Sequence, residues 1–124
     1  MRVFFCAVAL AISFCAPVAA ETDPTGLDMR VMCDRALDTS DTQAGSRELA
    51  GICYGRLEGF MIGYRFGFAD AGSDGDELFC VTETVDLEEV AKLYVKFSRE
   101  NTEFDNEPWT FTAINVLRIL YPCS

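Results

Sequence analysis

Of six cysteines, Cys6 and Cys15 fall in a signal-like N-terminus, and the four that remain beyond it, Cys33, Cys53, Cys80 and Cys123, are the residues best equipped for chemistry. Thiols can ligate metals, attack electrophiles or pair as disulfides. Zinc sites draw on CxxC pairs and on histidine at short spacings. The sequence has neither a CxxC pair nor a single histidine. The missing histidine also removes imidazole acid–base relays and the Ser-His-Asp and Cys-His nucleophile systems. An even number of cysteines in a small exported chain reads as two disulfides, with three connectivities open at this point.

Carboxylates are the other abundant reactive group, 20 Asp and Glu against 10 Lys and Arg. No spacing among them singles out a catalytic pair. Asp70, Asp74 and Asp76 superficially resemble a calcium loop, but position twelve is Val81, where a glutamate is required. Phosphate-loop and dinucleotide fingerprints are missing too. We expect no catalytic residue, no metal and no cofactor, and therefore not an enzyme. Asp74, Gly75, Asp76 and Glu77 fit a different task. Glycine permits a sharp projection, and the charge would steer such a loop toward a basic rim on a protein partner.

The ends and the charge narrow the class. Arg2, the apolar run Val3–Cys15 and the small residues Ala16-Pro17-Val18-Ala19-Ala20 match an export signal cleaved after Ala20. That run is too short to span a bilayer, and no later segment is long and apolar enough. The remaining 104 residues suffice for one small domain, residues 21–124. Losing Arg2 takes the formal charge from −10 to −11. Such acidity argues against nucleic acid and anionic lipid, and suits solubility or a basic partner. The expected location is the periplasm.

The elements that must position these residues read as helices. Thr25 and Asp28 fit a capping box opening a short helix to about Leu37, with Leu27, Val31 and Cys33 expected inward. Asp38–Gly45 is turn-like. A second helix is expected from about Ser46 to Asp70, with Cys53, Leu57, Phe60, Met61, Tyr64 and Phe68 on one arc. Its other side carries a ladder: Gly51, Gly55, Gly59, Gly63 and Gly67, each four residues from the last. Five helical glycines cost about 5 kcal/mol against alanine. Close packing of another backbone must offset that, from this chain first or across a homodimer. Leu78–Val85 reads as extended. Asp86 can cap a third helix with Leu87, Val90, Ala91, Tyr94 and Phe97 inward. After an acidic turn, Pro108 opens a fourth helix lined by Phe111, Ile114, Leu117 and Tyr121, which Pro122 stops. The fold class is all-α, a small four-helix domain stapled by two disulfides. Helix ends that would meet in antiparallel hairpins favour Cys33–Cys53 and Cys80–Cys123.

Several strings then resemble a known family. Cys53-Tyr-Gly55-Arg-Leu-Glu-Gly59 looks like the helix motif of the Rap/Tai-type immunity proteins, as do Phe79-Cys80 and the ending Leu117-Arg-Ile-Leu-Tyr-Pro122-Cys123. The likeness covers about residues 27–123, and departs from the family where Arg56 replaces an aromatic. It implies a periplasmic, non-catalytic inhibitor of a peptidoglycan amidase effector delivered by type VI secretion, in several members a dimer. Two other readings stay open: a generic periplasmic protein-interaction module, and an acid-stress chaperone resembling HdeA.

Overall fold

A computed structural model describes residues 22–70, 77–81 and 84–124, with the side chains of 68–70 set aside. Its elements are α1 (Gly26–Leu37), α2 (Ala44–Asp70), α3 (Leu87–Glu100), a 3₁₀ turn (Thr102–Phe104) and α4 (Trp109–Leu120). The fold is all-α: no strand forms among the described residues, only an isolated bridge between Thr25 and Pro108. Local chemistry accounts for the boundaries. Thr25 Oγ1 accepts from the Asp28 N–H while Asp28 Oδ2 accepts from the Thr25 N–H, so the capping box closes both ways. Asp86 accepts from the N–H groups of Glu88 and Glu89 and caps α3. Between α1 and α2, Asp38 accepts from the Ser40 N–H and Asp41 from the Gln43 N–H, each an aspartate turn. Pro108 stands one residue outside α4, at its cap.

The helices pack α1 on α2 and α3, and α3 on α4. Tyr94, Phe79, Met29, Leu57 and Leu117 are fully buried. Each such side chain contributes about 1.5–3 kcal/mol by leaving water. On α2 the expected arc is buried at Cys53, Leu57 and Met61, with Phe60 and Tyr64 packed at its edge, while the Phe68 side chain lies outside what is described. Two faces differ from the sequence reading. On α1, Leu27 and Val31 are 41% and 50% exposed, and Met29 and Cys33 turn inward. The inward side also carries Arg30, whose guanidinium Nη1 and Nη2 lie 2.8 and 3.2 Å from Asp105 and which donates to the Ser98 carbonyl at 2.9 Å, while Cys33 is bonded to Cys53 in the core. With that side facing inward, Leu27 and Val31 point outward. On α4, Phe111 is 51% exposed, while Trp109, Thr112, Ala113 and Val116 join Leu117 inside. Trp109, on the core side, meets the Phe60 ring edge-on at 5.5 Å.

Candidate functional site

Both expected disulfides form. Cys33–Cys53 joins α1 to α2 inside the core, and Cys80–Cys123 joins the segment before α3 to the residues after α4. They staple loops of 20 and 43 residues. The second clamp sets the C-terminal half of α2. Phe79 stacks on Tyr64 at 4.2 Å and approaches Phe60 at 6.4 Å. The Tyr64 hydroxyl accepts from the Leu78 N–H at 2.6 Å, and the Cys80 N–H donates to the Tyr121 carbonyl at 2.8 Å. Residues 77–81 are thus held against the core side of α2.

Among the described residues the opposite side of α2 is bare. A Cβ added at Gly51, Gly55, Gly59, Gly63 or Gly67 would meet none of their atoms within 4 Å beyond its own helix backbone. The close packing expected of the ladder inside the chain is therefore not made with the described residues. On a helical wheel Ile62 and Phe66 fall among these glycines, and they are 47% and 73% exposed. The result is one strip running up a 27-residue helix, notched at its start and knobbed near its end. Pattern reading identified the glycines. It missed the two knobs, although their i, i+4 spacing opposite the buried arc was a usable signal.

Asp74, Gly75 and Asp76, expected as a partner-binding loop, lie outside the described residues. Glu77 is described and exposed, and its Oε2 lies 2.8 Å from Cys80 Sγ. A disulfide sulfur carries no proton, so this is a contact and not a hydrogen bond. The same absence of thiols means that Glu77, Cys80 and Cys123 offer no thiolate ligand while the bridge is closed.

Shifted ionisations elsewhere have local structural causes. Asp28 is lowered by the Thr25 N–H and hydroxyl, Asp38 by Ser40, and Asp41 first by the Ser46 hydroxyl. Burial raises Tyr54 and Tyr94. Lys92 is raised by its hydrogen bond to Glu88. A groove of about 320 Å³ between α1 and α3 carries Lys92, Lys96 and Arg99. Arg99 is paired with Asp34 at 2.8 Å and Lys92 with Glu88 at 2.6 Å, so most of its positive charge is neutralised. Among the described residues no helix is long and apolar enough to cross a membrane. No family model, no curated protein and no solved structure matches the chain.

Proposed function

We propose that this domain works by docking onto a protein, and that its partner is a peptidoglycan amidase effector of type VI secretion, which it inhibits stoichiometrically in the periplasm. The observation that carries the docking role is the bare strip of α2. It carries the helix-propensity cost of its glycines without contact from the described residues and presents Phe66 and Ile62 to water. The kind of partner rests on the resemblance of the Cys53–Gly59, Phe79-Cys80 and Pro122-Cys123 strings to Rap/Tai-type immunity proteins. Two disulfides suit an oxidising compartment, and the signal-like residues 1–20 would deliver the chain there. The acidic stretch ending at Glu77 follows α2 and would extend the contact toward a basic cleft rim. A homodimer is the second reading, favoured by one feature. The i, i+4 pitch of Ile62 and Phe66 equals that of Gly51 and Gly55 on the same helix, so an antiparallel copy would seat knobs in notches.

Calorimetric titration against any peptidoglycan amidase found encoded beside this gene tests the reading. Wild type should bind tightly and protect cells that express it in the periplasm. Gly59→Leu and Phe66→Ser should each weaken binding, while Asp74→Ala/Asp76→Ala reports separately on the loop. Full affinity in both α2 variants would remove the strip from the interface. No binding and no protection by wild type would end the immunity reading and leave the generic interaction module.

A further inference from the structure

The two disulfides sit in opposite environments. Cys33 and Cys53 are fully buried in the core, whereas Cys123 is exposed and Cys80 is half-buried. Thiol–disulfide exchange requires a thiolate to reach a sulfur, so access separates the two bridges. Around the accessible one, a Glu77 carboxylate oxygen and the sulfurs of Cys80 and Cys123 all lie within 4.8 Å of one another.

We propose that a small dithiol opens Cys80–Cys123 selectively, and that the opened form is a binding site for a borderline-soft divalent cation of the zinc class. The exchange balances. One thiolate of the dithiol attacks a protein sulfur and displaces the other as thiolate. The dithiol's second thiol then attacks the mixed disulfide. Two electrons and two protons pass to the protein, giving Cys80 and Cys123 thiols, and the dithiol leaves as its own disulfide.

Opening the bridge does not disperse its members. The hydrogen bond from the Cys80 N–H to Tyr121, the stacking of Phe79 on Tyr64 and the hydrogen bond between Leu78 and Tyr64 are all independent of the S–S bond. Cys123 lies beyond α4, which ends at Leu120, so its sulfur can withdraw from bonding distance to ligand spacing. Two thiolates and a carboxylate held this close repel one another unless a cation lies between them. A divalent cation removes that repulsion and releases the thiol protons. Two sulfurs select the zinc class over calcium or magnesium, and three protein ligands leave a fourth tetrahedral position for water.

The test uses the mature chain purified with both bridges formed. Limited treatment with dithiothreitol, alkylation and peptide mapping should label Cys80 and Cys123 and leave Cys33–Cys53 intact. Cobalt(II), added anaerobically to this half-reduced protein, should give thiolate-to-cobalt charge-transfer and tetrahedral d–d bands that zinc(II) abolishes. Cys123→Ser should lose the charge-transfer intensity of one thiolate and bind more weakly. Glu77→Gln, at an exposed position, should weaken cobalt binding by about ten-fold or more, since even outer-shell changes cost about that much. Opening of Cys33–Cys53 at the same or lower dithiol concentration would overturn the selectivity. The lack of tetrahedral cobalt bands, or unchanged affinity in Glu77→Gln, would overturn the site.

Discussion

Replacing a glycine of the α2 ladder by alanine should stabilise the isolated chain. Alanine restricts the unfolded chain and favours the helix, together about 1 kcal/mol at an interior position. No steric term opposes it, because a Cβ at Gly55 or Gly59 has open space around it to 4 Å. Each variant should gain about 1 kcal/mol, which for a domain of this size raises Tm by about 4–8 °C. Gly26→Ala provides the contrast. Gly26 is also helical, but its Cβ would overlap the Phe104 carbonyl oxygen and lie 3.2 Å from the carbonyl carbon. That carbonyl accepts from the Glu107 N–H, and the Phe104 N–H donates to Asn101, so the turn cannot yield freely. Instead the start of α1 must move, straining the bonds from Gly26 to Glu107 at 2.8 Å and from Leu27 to Asp105 at 3.0 Å. Two weakened hydrogen bonds at about 1 kcal/mol each, with overpacking, give a loss of about 2–4 kcal/mol. Urea and thermal unfolding of disulfide-intact protein, followed by circular dichroism at low and high concentration, measures both. Ladder variants that lose stability at every concentration would refute an open face. Loss at high concentration alone would place a second copy on it. Wild-type stability in Gly26→Ala would refute the close approach of α1 to Phe104.

Arg30→Met leaves the Asp105 carboxylate and the Ser98 carbonyl without their shared donor and should cost about 2–4 kcal/mol by urea midpoint. Arg30→Lys should recover only part of this, since an ammonium cannot reproduce the guanidinium fork. Acid should weaken the fold through Asp28, Asp38 and Asp41. All three are lowered in the folded state, so their stabilisation is present above the unfolded value of about 3.9 and is lost as pH falls through the folded values. Thr25→Val should flatten the Asp28 part of a stability–pH profile below about pH 4, and an unchanged profile would remove the capping box from the acid response. Removing Cys33–Cys53 or Cys80–Cys123 should cost about 3 and about 4 kcal/mol from loops of 20 and 43 residues in the chain-entropy model. Denaturant midpoints of the paired Cys→Ala variants measure this.

Helix existence and ends were legible because their causes are local. Thr25 and Asp28 are three residues apart, Asp86 reaches the two N–H groups just after it, and Pro122 stops α4 from its own position. The disulfide pairing followed from those ends. Helix rotation was less legible, because its cause is distant. Leu27 and Val31 share an i, i+4 face that any local pattern reads as core. The contacts on the inward side join Arg30 to Asp105, 75 positions away, and Cys33 to Cys53 on another helix, and a local pattern contains neither. Phe111 and Trp109 show the same limit, since Trp109 meets Phe60 on another helix while Phe111 stays exposed. The ladder is a third kind of case. Periodicity identified the helix and its small-residue face, and the glycine cost raised the question of an offset. Whether the offset comes from inside the chain is a property of the assembled surface, and a one-dimensional pattern does not contain it. The described residues leave the strip uncovered while Cys33–Cys53 and the Phe79 clamp hold the other side of the same helix. A helix fixed rigidly along one face and bare along the other loses little further freedom when a partner settles on it, so its glycines and Phe66 can spend their contacts on affinity rather than on ordering.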